Sequence, residues 1–194
     1  MKSIAMRAAA AGAGLVLSVM PGCTTAGSAG LGAVYARGCL EAAERKRAPG
    51  SALRLCDSAL LDAALPARER AATHVNRGIV HMQARNVAAA LADYDTAIRI
   101  APNAAEAYVN KGIALIGLGD RDAEAVRLFD AALARNPLRP AIAYYSRAIA
   151  NEQLGRTRAA YEDYSRAAQL DPDWPDPAAQ LQRFRVLRGK TASG

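Results

Sequence analysis

THVNRGIVHMQARNVAAALADYDTAIRIAPN, residues 73–103, decides the fold. Within it Gly78, Ala90, Tyr94, Ala97 and Pro102 stand 12, 4, 3 and 5 residues apart. The stretch AYVNKGIALIGLGDRDAEAVRLFDAALARNP, residues 107–137, carries Gly112, Ala125, Phe129, Ala132 and Pro137 with steps of 13, 4, 3 and 5. A third, YYSRAIANEQLGRTRAAYEDYSRAAQLDPD, residues 144–173, carries Ala148, Ala160, Tyr164, Ala167 and Pro172 with steps of 12, 4, 3 and 5. Four residues before each leading small residue sits a ring: His74, Tyr108 and Tyr144. The prolines Pro102, Pro137 and Pro172 recur every 35 residues.

Steps of 3 and 4 put side chains on one helical face. A small residue where two helices cross lets their backbones approach, and the ring beside it fills the remaining space. A proline after the second helix cannot continue it. Each unit is therefore expected to be two antiparallel helices joined by a short turn. The turns read as Ala84-Arg85-Asn86, Gly117-Leu118-Gly119-Asp120 and Leu154-Gly155-Arg156. A self-similar period of this length is the mark of a stacked array.

The three stretches resemble the tetratricopeptide repeat (TPR) family. The resemblance spans residues 35–174, with Ala148 replacing the leading Gly and Asn151 a large residue in the third unit. It implies an all-α, right-handed superhelical solenoid of helix-turn-helix repeats. The expected units are residues 71–104, 105–139 and 141–174. A degenerate hairpin is expected over residues 35–66, where Tyr35, Cys39, Ala52, Cys56 and Ala59 keep the register. Cys39 and Cys56 then lie on the facing sides of its two helices, either as buried thiols or as a disulfide stapling the hairpin. A capping helix is expected within residues 175–188, with its core from 178 to 188, because a solenoid's last unit otherwise exposes its stacking face. Residues 189–194 form a tail.

The N-terminus reads as a targeting segment. Lys2 and Arg7 precede an uncharged apolar run over residues 8–20. That run suits a secretory signal over residues 1–22 and is short of the about 20 apolar residues a spanning helix needs. Met20-Pro21-Gly22-Cys23 resembles a bacterial lipobox, with Pro21 atypical. The resemblance implies lipidation of Cys23 and an outer-membrane location facing the periplasm. The Thr-, Ala-, Gly- and Ser-rich stretch that follows reads as a flexible tether over residues 23–34. Cleavage after Ala26, leaving a soluble periplasmic protein, is the alternative. Lipidating Cys23 also removes the odd cysteine from an exported chain.

Candidate chemistry is sparse. His74 and His81, the only histidines, lie two turns apart, about 10 Å along a helix, too far for one metal. Both are read as packing residues. Glu162 and Asp163 are read as solvated surface. No phosphate loop or nucleophile elbow is present, so no enzyme activity, cofactor or metal is expected. Without Lys2 and Arg7 the chain has 23 basic and 18 acidic side chains, or +5. These charges are spread out, and no nucleic-acid partner is expected.

The expected working surface is the concave groove lined by the first helices. The register assigns to it Val75, Asn76, Ile79 and Met82, then Val109, Asn110, Ile113 and Ile116, then Tyr145, Ser146, Ile149 and Gln153. An apolar stripe with regular polar groups suits a peptide or a partner helix. Val75 and Val109 stand where family members that clamp a C-terminal carboxylate carry Lys, which argues against that mode. The expected function is a non-catalytic adaptor of the cell envelope. The alternatives are a chaperone for exported chains, or an envelope enzyme or ligand binder with an unrecognised site.

Overall fold

The computed structural model describes residues 30–184. The signal segment, Cys23 and residues 185–194 lie outside the described residues. Nine helices, and no strand, are present among those described: α1 (Leu31–Glu44), α2 (Pro49–Leu61), α3 (Ala67–Gln83), α4 (Val87–Ile100), α5 (Ala105–Ile116), α6 (Asp122–Leu133), α7 (Pro140–Gln153), α8 (Thr157–Leu170) and α9 (Pro175–Leu181). They pair as α1–α2, α3–α4, α5–α6 and α7–α8, and each pair packs on the next.

The register read from the sequence is the core. Cys39, Ala52, Cys56 and Ala59 are fully buried in the first hairpin, as are Ala90, Tyr94 and Ala97 in the second. Ala125, Phe129 and Ala132, then Ala148, Ala160 and Ala167, do the same in the third and fourth. Gly112 shows why the leading position must be small. A Cβ there would stand 2.7 Å from the Phe129 ring. Cys39 and Cys56 are joined by a disulfide that ties α1 to α2.

Most turns between paired helices share one device. The second residue after the helix adopts positive φ, at Lys46, Arg85 and Gly155. The next N–H then reaches back: Arg47 to Ala42 O, Asn86 to His81 O and Arg156 to Asn151 O, at 2.8–3.1 Å. This six-to-one bond satisfies carbonyls left open at a helix end. The Asn86 side chain also caps α4 by accepting from the Ala89 N–H at 3.2 Å.

Two boundaries differ from expectation. Helix α1 begins at Leu31, so residues 31–34, assigned to the tether, are helical. The final helix begins at Pro175 and ends at Leu181, with a turn through Arg183, rather than running from 178 to 188. Prolines at 175 and 177 suit the first helical turn, where no N–H is needed. Its apolar side still closes the stack: Leu181 and Phe184 pack on the cluster around Tyr164. The Phe184 ring meets those of Tyr161 and Tyr164 edge-on at 5.7 and 5.9 Å.

Candidate interaction surface

Successive first helices touch one another, α1 with α3, α3 with α5 and α5 with α7, whereas successive second helices make no comparable contact. The first helices therefore line the inner, concave side.

Seven of the twelve groove candidates are buried within the chain. Val75, Ile79 and Val109 are core residues. Asn76, Asn110 and Ser146 are buried as well, and Asn110 Nδ2 donates to Glu106 O at 2.8 Å. Tyr145 packs against Tyr164 and, at 4.7 Å, Trp174. The physical reason is the neighbouring hairpin, whose helices cover the side of each first helix that faces along the stack. Met82, Ile113, Ile116 and Ile149 are only half-buried and Gln153 is exposed. These five are the candidates the fold leaves on the inner side. Glu152 is the true register partner of Met82 and Ile116. Its carboxylate is engaged by the Tyr164 hydroxyl at 3.0 Å and by Arg183 at 2.5 Å.

The sequence reading missed a charged ladder that fixes the helices behind this surface. The residue before each leading small residue is basic: Arg77, Lys111 and Arg147. Each reaches an Asp on the second helix of the preceding unit. Arg77 Nη1 donates to Asp57 at 2.7 Å, Lys111 Nζ to Asp95 at 2.6 Å, and Arg147 Nη1 to Asp130. Arg77 and Arg147 also grip a buried Asp in their own unit. Arg77 Nε and Nη2 meet Asp93 at 2.9 and 2.7 Å, and Arg147 Nε and Nη2 meet Asp163 at 2.9 and 2.6 Å. In the remaining unit that place belongs to Leu128, so Lys111 has only its cross-unit partner. The signal was present as the recurrent pairs Arg77-Gly78, Lys111-Gly112 and Arg147-Ala148.

Two readings are corrected by this ladder. Asp163 is buried and paired, not solvated surface. His74 and His81 do more than fill space, because Asp93 lies between them. His74 Nδ1 is 2.8 Å from Asp93 Oδ1, and His81 Nε2 is 3.8 Å from Oδ2. Burial by itself would raise the Asp93 pKa. Hydrogen bonds from His74 and Arg77 outweigh it and hold the carboxyl below its usual range. The bond to Asp93 likewise pushes the Arg77 guanidinium up. No cluster able to hold a metal occurs among the described residues. No described helix is long and apolar enough to cross a membrane.

Comparison with known proteins agrees with this geometry. One tetratricopeptide repeat model matches residues 71–104 and another matches residues 109–175. MamA 41-end from Desulfovibrio magneticus RS-1 superposes with a TM-score of 0.64 at 20% identity, over 78% of this chain and 82% of that one. YrrB, described as a TPR protein with an unusual peptide-binding site, gives 0.61 at 20% identity, over 81% of this chain and 76% of its own. No curated protein sequence matches the chain. The repeats at residues 71–104 and 109–175 belong to the tetratricopeptide repeat family, and the fold they build is a TPR solenoid.

Proposed function

We propose that this protein is a non-catalytic scaffold of the bacterial cell envelope. It binds a peptide or a partner helix along its concave side, and a lipid on Cys23 holds it at the membrane. The observation that carries the binding role is the stripe Met82, Ile113, Ile116 and Ile149. These residues run along successive first helices and are incompletely covered by their own chain. Apolar surface presented at regular spacing on rigid helices favours an extended or helical ligand, which covers it without ordering the receptor. The charged ladder behind the stripe supplies that rigidity. The peptide-binding site described for YrrB is in keeping with this use of the fold. The anchor is supported by the basic, apolar and Gly22-Cys23 sequence at the N-terminus.

A pull-down from cross-linked envelope fractions tests the binding role. The baits are wild type and an Ile113→Glu, Ile116→Glu variant whose helicity is checked by circular dichroism. Ile79 is unsuitable for this purpose, because a glutamate there would enter the core. One protein enriched by wild type and lost with the variant is the expected result. Equal recovery by both baits contradicts the groove.

A further inference from the structure

The two ends of the solenoid are not alike. At the C-terminal end α9, Leu181 and Phe184 cover the last hairpin. At the N-terminal end no described element lies over α1 and α2. The repeat register makes the difference measurable. Five residues before each leading small residue stand Thr73, Ala107 and Ala143, each 1% exposed or less, because the preceding hairpin lies on them. Val34 holds the same register position and is 56% exposed. Leu31, three residues earlier on that stripe, is 75% exposed, and Leu61 at the end of α2 is 84% exposed. The Gly32 N–H donates to Asp62 Oδ2 at 3.0 Å, which brings the start of α1 to the end of α2. Leu31, Val34 and Leu61 therefore form one bare apolar end.

Two observations indicate what meets it. The first is the length of chain between this end and Cys23. Seven residues, 24–30, separate Cys23 from Leu31, and at about 3.5 Å each they reach at most about 25 Å. With a lipid on Cys23, this end is the part of the solenoid nearest the bilayer. The second is charge. Arg37, Arg45, Lys46, Arg47 and Arg54 are all exposed on the first hairpin. Its aspartates are engaged: Asp57 pairs with Arg77, and Asp62 accepts from the Gly32 and Ala64 N–H groups. Against these five cations residues 31–61 carry Glu41, Glu44 and Asp57, a net +2. Arg37 lies one turn along α1 from Val34, whereas Arg45, Lys46 and Arg47 sit at the turn, the far end of the hairpin from Leu31. A bare apolar end on a hairpin with a basic excess favours an anionic lipid surface.

We infer that the N-terminal end of the solenoid seats on a phospholipid bilayer, with Leu31, Val34 and Leu61 in the interface. This rests on the lipid anchor proposed for Cys23. The seated array stands away from the membrane, with its concave side open laterally and its C-terminal cap farthest out.

The test uses the full chain made in a bacterial host, extracted in detergent and reconstituted into phosphatidylethanolamine–phosphatidylglycerol vesicles with brominated acyl chains. Bromine quenches tryptophan that enters the interface. Wild type carries only Trp174, near the opposite end, as an internal reference. The Leu31→Trp variant is expected to show an added, blue-shifted component that the brominated lipid quenches. A control Leu138→Trp variant, on an exposed loop, is expected to add an unquenched one. Mass analysis of the mature N-terminal peptide reports the anchor separately. A lipidated Cys23 with an unquenched Leu31→Trp component overturns the seat and leaves the anchor standing. An unlipidated chain that is still quenched supports the seat and removes the anchor, and one that is unquenched overturns both. A component already blue-shifted in lipid-free detergent, unquenched by lipid and accompanied by dimers, assigns the end to a second copy and overturns the seat.

Discussion

Removing Arg147 should destabilise the protein far more than removing Lys111, although the two occupy equivalent places in adjacent repeats. Arg147 donates twice to Asp163, at 2.9 and 2.6 Å, and that carboxylate is buried. In an Arg147→Met variant only the Asn151 amide, at 3.2 Å, remains to it. Stripping one partner from a buried pair costs about 3–5 kcal/mol. The Arg147 side chain is partly exposed, so water recovers some of the loss, and about 3 kcal/mol is expected. Lys111 pairs only with Asp95, whose side chain is half-exposed, and Lys111→Met should cost at most about 1 kcal/mol. With a urea m-value of about 2 kcal/mol/M, the midpoints fall by about 1.5 M and at most about 0.5 M. Far-ultraviolet circular dichroism in urea measures both. The chain itself supplies a control, since Leu128 occupies the place of Asp163 in the neighbouring repeat. Adding Asp163→Leu to Arg147→Met should therefore restore much of the loss. Equal losses for the two single variants, or a double variant no better than the single, would refute the argument that burial of the aspartate sets the strength of the ladder.

Gly112→Ala should lower stability by about 1–3 kcal/mol despite alanine's better helix propensity, because its Cβ would meet Phe129 at 2.7 Å; thermal unfolding reads the change. Reducing the Cys39–Cys56 disulfide, which spans 17 residues, should cost about 3 kcal/mol, with faster amide exchange confined to α1 and α2 by mass spectrometry. Asp93 has a lowered pKa in the fold, so its contribution is present above the unfolded value of about 3.9 and is lost as pH falls through the folded one; acid titration of Asp93→Asn against wild type isolates it. Burial pushes the Tyr94 and Tyr164 phenols up. Their contribution is complete below about pH 10 and is lost as pH rises toward the folded values. Alkaline unfolding of Tyr94→Phe should accordingly begin at higher pH than that of wild type.

The hairpins were legible because their determinants are local. A small residue, a second small residue, a ring and a proline at fixed steps name both the facing sides of two helices and the place where the second stops. The turn positions were legible as well, at Ala84-Arg85-Asn86 and Leu154-Gly155-Arg156, but the positive φ at Lys46 and Arg85 was not, because neither residue type favours it. The groove was less legible. Helical periodicity tells which residues share a face, but the exposure of that face depends on the next hairpin. Val75, Val109 and Tyr145 lie on the inner helices yet are sealed by their neighbours, whereas Met82 and Ile116, two turns farther along, are not. The ladder was missed because its partners are 16–20 residues apart and on different units. A charged residue read alone is assigned to water. Only the crossing of three helices shows that Asp93 and Asp163 are enclosed. The end of the last helix was misplaced because Leu181 and Phe184 keep a three-residue step. That spacing suits a helix or a turn equally well when both side chains face one cluster.

Position-resolved photo-cross-linking in living cells tests the central claim most directly. A photoreactive residue is placed singly at Met82, Ile113 or Ile149 on the inner side, and at Ala92, Arg127 or Arg158 on exposed faces of the second helices. The account predicts one discrete adduct, shared by the three inner positions and absent from the three outer ones. Adducts formed equally from both sets, or from the outer set alone, would contradict a scaffold that works through its concave side.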